Sequence, residues 1–216
     1  MLESNTPPQT IFRIARKPDP WQPPDWSRAI SDGTFDNRFD DPEGYYRVLY
    51  AASQKLSCFL ETLARYRPDL TLLAELNQIE GENDFFPLGR VPREWCDERL
   101  LGSALAEGAY ADIYAAEWIA LLRHHLAGEC LQLGLSDLDA SVLQSHAPRR
   151  ITQLASLEVW RLNFDGIYYR SRYGHDLENW ALFEPFRIRQ ATSRAFGIDD
   201  PDFVEALRIL GLKVAE

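Results

Sequence analysis

Residues 48–64 read VLYAASQKLSCFLETLA, a short apolar run followed by a helical pattern. The run from Val48 to Ala51 predicts a buried strand, because it is apolar and too short for a helix. Ser53, a residue type that often caps helices, comes just before a second pattern. In that pattern, apolar residues recur at intervals of three and four, at Leu56, Phe59, Leu60, Leu63 and Ala64. The stretch therefore predicts a strand that leads into an amphipathic helix, as in a mixed α+β fold.

Glu61 lies on this predicted helix, beside its apolar stripe. At 100° per residue, its side chain is roughly 130° from the centre of the stripe. Such a carboxylate points either into a cleft or into water. From the pattern alone, an exposed surface glutamate is the simpler interpretation.

Upstream of the stretch, the sequence predicts one strand and one surface loop. Ile11 to Arg16 has the alternating character of a first strand. The proline-rich segment from Pro18 to Pro24 predicts an extended loop. Arg38 lies between the turn pairs Asp32-Gly33 and Asp41-Pro42, which places it between bends near the surface.

Downstream, the clearest patterns predict three helices and one strand. Two helices cover about Tyr110–Ala127 and Arg149–Leu162, and the strand covers Ile167–Ser171. The third helix closes the chain, with Asp200 as the cap residue before it and Gly211 as the cap residue after it. We expect a loosely ordered leader at residues 1–10 and one domain over residues 11–216, since nothing in the sequence resembles a linker between domains.

Composition excludes several function classes. With 216 residues and a formal charge of −10, the chain lacks the basic surface that broad nucleic-acid binding needs, so we expect no direct nucleic-acid binding. Its three cysteines, Cys58, Cys96 and Cys130, are odd in number and far apart, which disfavours a disulfide framework and a zinc ribbon. The sequence contains no apolar run long enough for a membrane helix and no signal-peptide pattern, so it predicts a cytoplasmic protein without a membrane partner.

Common catalytic motifs are also missing. The chain has no phosphate-binding P-loop, no dinucleotide-binding glycine turn, no nucleophile elbow and no zinc helix. Its four histidines do not form a metal-ligand pattern, so we predict no metal site. Ser171 has no partnered histidine and aspartate in a recognisable pattern and is not read as a nucleophile.

Several short blocks, taken in order, resemble the RES-domain family, which is known for enzymes that degrade NAD. Each block is short, and their shared order and spacing carry the resemblance. The blocks are Phe12-Arg13, Arg38-Phe39-Asp40, Tyr50, Glu61, Val91 to Trp95, Arg150 to Gln153, Gly166 to Arg172, and Ala181 to Phe183.

The resemblance implies a fold, a reaction and a partner. The fold would be similar to that of ADP-ribosyltransferases: a single α+β domain with a central cleft between small sheets, flanked by helices. The reaction would be cleavage of the nicotinamide–ribose bond of NAD, with NAD as substrate, inorganic phosphate as a candidate co-substrate and no prosthetic group. Many members are toxins of toxin–antitoxin pairs, which implies an antitoxin partner with a helical DNA-binding domain and a joint oligomer.

The resemblance also implies roles for individual residues. Glu61 would be the catalytic carboxylate, and Arg13 and Arg38 would clamp the pyrophosphate through forked N–H donors. Tyr50 would hold the nicotinamide ring in catalysis and binding, and Ser171 would position the substrate or the attacking group. Surface ion pairs for the arginines and a core position for Tyr50 are the structural alternatives.

Two other functions stay open. The same cleft could transfer ADP-ribose to a macromolecule. The chain could also be a binding module for a nucleotide or a partner, without turnover, because Asp36-Asn37 stands where glycine is frequent in the family and Tyr173 where histidine is common.

Overall fold

The computed structural model describes residues 2–8, 10–76, 89–145 and 148–215. Its strands are β1 (Ser4–Asn5), β2 (Ile11–Arg16), β3 (Val48–Ala52), β4 (Gly89–Val91), β5 (Arg99–Ala106), β6 (Tyr110–Asp112), β7 (Gly166–Arg170), β8 (Glu178–Phe183), β9 (Ile188–Arg194) and β10 (Leu212–Val214). Its α-helices are α1 (Lys55–Leu63), α2 (Leu70–Leu76), α3 (Arg93–Asp97), α4 (Ala116–His125), α5 (Ala127–Gln132), α6 (Ala140–Gln144), α7 (Arg149–Arg161) and α8 (Pro201–Leu210). This composition confirms the predicted α+β class.

Most strands join one large sheet with the order β1-β6-β7-β8-β3-β2-β5-β9. Neighbouring strands are antiparallel except for β6 and β7, which are parallel. A second sheet pairs β10 with β4 in parallel. The main sheet of eight strands is thus larger than the small sheets that the family resemblance implies.

The opening stretch forms the strand and the helix that its pattern predicts. β3 lies inside the main sheet between β8 and β2. α1 buries Phe59, Leu60 and Leu63 completely and packs against β2 and α8. Because this stripe is anchored on two neighbours, the angular position of every other α1 side chain is fixed, including that of Glu61.

Successive side chains of β8 point alternately to the two faces of the main sheet. Trp180 and Leu182 pack in one buried cluster, whereas Ala181 and Phe183 pack in another. Asn179 shares the face of Ala181 by the period of two, and it lies directly opposite Tyr169 of β7. A polar residue of β8 and an aromatic residue of β7 are therefore neighbours on one face.

Three predictions need correction. The leader is partly ordered, because Ser4 and Asn5 pair with β6. The predicted helix from Tyr110 is wrong at its start, where residues 110–112 form strand β6 and the helix begins only at Ala116. Ser53 does not cap α1, because its hydroxyl donates to Glu178 and accepts from Trp180 Nε1.

Other boundaries are confirmed. α7 and β7 lie where the sequence predicts them. α8 begins after Asp200, whose carboxylate accepts from the Asp202 amide, and it ends at Gly211, which has a left-handed φ of 63°. Among the described residues, no helix is long and apolar enough to cross a membrane.

Candidate active site

Glu61 and Ser171 meet in one cleft. Ser171 follows the last residue of β7, and its Oγ donates a hydrogen bond of 2.7 Å to Glu61 Oε1. The serine is 6% exposed, while the glutamate is open to solvent. The same Oγ accepts from the Tyr173 amide at 3.1 Å, so both the proton and a lone pair of the hydroxyl are engaged. The sequence alone leaves open whether these two side chains face each other.

A second pair of residues, which the sequence interpretation missed, also holds Glu61. Asn179 Nδ2 donates to Glu61 Oε1 at 3.2 Å, and Ser57 Oγ donates to Asn179 Oδ1 at 2.8 Å. Both Ser57 and Asn179 are buried. Because Ser57 donates to the amide oxygen, the amide NH₂ group must face the glutamate. Ser57 precedes Glu61 by four residues and so lies on the same helix face, a signal that was available in the sequence.

Behind Glu61 is a small cavity, here called the inner cavity. It has a volume of about 80 Å³, and the residues on its wall that bear on the chemistry are Arg13, Tyr50, Glu61, Tyr169 and Asn179. Three of the five residues expected at the site, Arg13, Tyr50 and Glu61, are thus brought together. Ser171 joins them through its hydrogen bond to Glu61.

Arg13 lies on β2 and lines the inner cavity. It follows Phe12, the residue of β2 that pairs with Ala52 of β3. Its Nη1 donates to the Tyr50 carbonyl at 2.6 Å, and its Nε donates to the Pro20 carbonyl at 2.7 Å. Burial lowers the pKa of Arg13 to about 10, which leaves the guanidinium charged at neutral pH. The cavity therefore has a fixed cation in its wall.

Tyr50 connects the inner cavity to the loop that carries Arg38. Its hydroxyl donates to Asp40 Oδ1 and accepts from the Phe39 amide, each at 2.9 Å. Burial raises the pKa of Tyr50 well above its ordinary value, so the hydroxyl stays protonated. Burial also raises the pKa of the Asp40 carboxyl, although Asn37 and Tyr50 both donate to it. The ring of Tyr50 is thus held in place with its hydroxyl already engaged.

Arg38 lies against the ring of Tyr169, outside the residues that line the inner cavity. Its guanidinium carbon is 5.6 Å from the centre of that ring. Nη2 donates to the Tyr114 hydroxyl at 3.0 Å and also to the Leu143 carbonyl, whereas the buried Nε has no partner among the described residues. Burial raises the pKa of Tyr169, the Glu61 carboxylate raises it further, and the Arg38 cation opposes both. Tyr169 therefore contacts the arginine and lies within electrostatic reach of the glutamate.

Side chains of α7 form hydrogen bonds with the backbone of the loop that carries Arg38. Thr152 Oγ1 donates to the Arg38 carbonyl at 2.6 Å, and Ser156 Oγ donates to the Phe39 carbonyl at 2.7 Å. Both side chains are buried. Since a buried carbonyl without a donor is costly, these polar helix residues define the path of the loop.

A larger depression, here called the outer groove, begins on the other side of Glu61. Its volume is about 960 Å³. Arginines are frequent in its wall, which includes Glu61, Arg65, Arg67, Arg149, Arg172 and Tyr173. Glu61 lines both spaces and so lies at their junction.

Comparison with protein-family models agrees with the sequence blocks. The chain matches the model of the RES domain over residues 10–203. No curated protein matches it significantly. Among solved structures it is similar to a chain of the M. tuberculosis MbcT–MbcA toxin–antitoxin complex, with 12% identity, a TM-score of 0.49, and coverage of 90% of this chain and 86% of that one.

Proposed function

This chain belongs to the RES-domain family, and from that premise we propose that it is an enzyme that cleaves NAD between nicotinamide and ribose. One observation carries the proposal. Glu61, at the mouth of the inner cavity, has one oxygen held by Ser171 and Asn179, while its second oxygen has no partner among the described residues. A carboxylate fixed in this way is oriented before a substrate binds.

The chemistry of the bond suits a single carboxylate. When the bond between ribose C1′ and the nicotinamide nitrogen breaks, its electron pair leaves with nicotinamide, which becomes neutral. No general acid is needed, whereas ordinary glycosidases need two carboxyl groups. Positive charge develops on the ribose, and Glu61 stabilises this charge and orients a ribose hydroxyl. An oxygen of water or phosphate then bonds to C1′, and when water is the acceptor its proton passes to the solvent.

The other residues take supporting roles in this proposal. The nicotinamide ring enters the inner cavity beside the ring of Tyr50, which the Asp40 hydrogen bond keeps in place. Arg13 binds the pyrophosphate from the wall of the inner cavity, and Arg38 binds it from its position outside that cavity, beside the Tyr169 ring, each through its remaining N–H donors. Ser171 acts as a positioning group, because its proton is directed at Glu61.

The products of labelled NAD test the proposal. Purified protein is incubated with NAD labelled in the adenosine part, with and without inorganic phosphate. We expect free nicotinamide together with ADP-ribose, or with its 1″-phosphate if phosphate is the acceptor. Label retained on protein or nucleic acid would indicate ADP-ribose transfer, and saturable binding without nicotinamide release would indicate a binding module.

We extend the proposal to a toxin whose activity an antitoxin with a helical DNA-binding domain blocks. NAD loss is harmful to any cell, so overproduction of the active chain should arrest growth. A Glu61→Gln variant produced to the same level should not. Equal growth with both variants would count against toxicity, and co-purification of a second chain that stops NAD loss would identify the partner.

A further inference from the structure

The outer groove contains arginines whose charge the described residues leave unpaired. Arg65, Arg67 and Arg172 are exposed, and in the part of the chain that the structure describes no carboxylate forms an ion pair with them. Arg149 differs, because its Nη1 pairs with Asp36 at 2.9 Å. In a chain with a formal charge of −10, this grouping of cations is a local exception. It creates a positive surface next to the proposed catalytic carboxylate.

These arginines lie close in sequence to the proposed catalytic residues. Arg65 and Arg67 come directly after α1, within six residues of Glu61, and Arg172 follows Ser171. The guanidinium of Arg65 lies 5.1 Å from the centre of the Tyr66 ring, and that of Arg172 lies 5.1 Å from the Tyr173 ring. Stacking on an aromatic ring restricts the side chain while leaving its N–H edge available.

The inner cavity and the outer groove differ in volume and therefore in the part of a ligand that each can hold. Sites for drug-sized ligands measure roughly 300–1,000 Å³, so the inner cavity of about 80 Å³ holds only a fragment of a dinucleotide. The outer groove, at about 960 Å³, has room for the rest. Leu70, Leu73 and Leu210 also line it and provide apolar surface suited to a purine ring.

We propose that the outer groove binds the adenosine diphosphate part of the dinucleotide, with Arg65, Arg67 and Arg172 donating to the phosphate on the adenosine side. This inference rests on the proposed function, and it adds a site for the half of the substrate that does not react. Arg13 approaches the same pyrophosphate from the wall of the inner cavity, whereas Arg38 lies outside that wall, against the ring of Tyr169. The scissile bond then lies at Glu61, where the two spaces meet.

Two substrates distinguish binding in the outer groove from binding in the inner cavity. Nicotinamide mononucleotide has the reacting bond and the inner phosphate but lacks the adenylate part of NAD. We expect the double variant Arg67→Gln/Arg172→Gln to raise the KM for NAD by about tenfold, the loss of a charge-assisted contact. Its kcat, and its KM for the mononucleotide, should stay unchanged. The control Arg123→Gln/Arg189→Gln removes two exposed arginines that lie outside the groove and should change neither KM.

Binding of ADP, measured by calorimetry, gives a readout that does not depend on turnover. The groove variant should bind ADP about tenfold more weakly than the wild type, and the control variant should bind it equally well. Unchanged ADP binding, or an equal rise in KM for both substrates, would overturn the assignment. If the wild type releases no nicotinamide from either substrate, the proposed function fails, and ADP binding alone then decides whether the groove is a nucleotide site.

Discussion

The inner cavity and the outer groove share Glu61 but differ in how their polar groups are held. Around the inner cavity, protein partners fix most of the polar side chains: Glu61 by Ser171 and Asn179, and Tyr50 by Asp40. In the outer groove, the cations Arg65 and Arg172 are exposed and stack on neighbouring rings, and no carboxylate of the described residues pairs with them. Preorganised groups favour a transition state, whereas exposed cations favour encounter and binding.

This difference predicts two classes of variant. Changes to Glu61 and to the residues that hold it should lower kcat, because they disturb groups aligned for the reaction. Changes in the outer groove should raise KM, because they remove ground-state contacts. A variant of Glu61 or of a residue that holds it that changed only KM, or a groove variant that changed only kcat, would contradict this division of roles.

The largest effect is expected for Glu61→Gln. The amide keeps the shape of the side chain and an oxygen that accepts from Ser171 and Asn179, but it lacks the negative charge. We expect kcat for nicotinamide release to fall by about 10²–10³, the usual loss of an electrostatic group in a transition state. Glu117→Gln, an exposed glutamate on α4, is the matched control and should retain the wild-type rate.

Ser171→Ala should have a smaller effect of the same kind. It removes the hydrogen bond of 2.7 Å to Glu61 and the acceptor of the Tyr173 amide. A hydrogen bond to a charged group contributes about 1.5–3 kcal/mol, so we expect kcat to fall by roughly 10- to 100-fold with little change in KM. An effect on KM alone would assign the serine to substrate binding instead.

Ser57→Ala tests the support behind the glutamate. The variant leaves the buried Asn179 oxygen without its donor, and the amide can then turn its NH₂ group away from Glu61. We expect a loss of about 1–2 kcal/mol in unfolding free energy and a kcat lower by about three- to tenfold. Ser141→Ala, on α6, removes an exposed hydroxyl that donates to Asp139 and should leave kcat unchanged. If Ser57→Ala lowered stability while kcat stayed normal, the chain from Ser57 to Glu61 would have no part in catalysis.

Salt should produce the smallest effect, and only in the outer groove. The Debye length falls from about 10 Å at 0.1 M to 3 Å at 1 M, so exposed arginines attract phosphate less strongly at high ionic strength. We expect the KM for NAD to rise about two- to threefold between these concentrations with constant kcat. The Arg67→Gln/Arg172→Gln variant should lose most of this dependence. A salt effect on kcat instead would mean that the exposed arginines act on the reaction step rather than on binding.

Local patterns were sufficient for elements that pack along one stripe or carry clear caps. The stripe from Leu56 to Leu63 located α1 and set the angle of Glu61 beside it, and Asp200 and Gly211 marked the ends of α8. These features depend on neighbours in sequence, so the sequence alone could define them.

Long-range pairing accounts for the errors. Tyr110 and Ala111 continue a helical pattern, but pairing with β1 and β7 makes them a strand. Ser53 has the chemistry of a cap, yet its hydroxyl bonds to β8. Asn179 escaped notice because its partner, Glu61, lies 118 residues away and no local pattern links the two.

The most direct test of the central claim is a double-mutant cycle of nicotinamide release. It compares the wild type, Glu61→Gln, Ser171→Ala and the double variant at saturating NAD. If Ser171 acts through Glu61, the double variant will be no slower than Glu61→Gln alone, because residues that work as one unit are not additive. Wild-type turnover by Glu61→Gln, or losses that multiply fully in the double variant, would contradict the account.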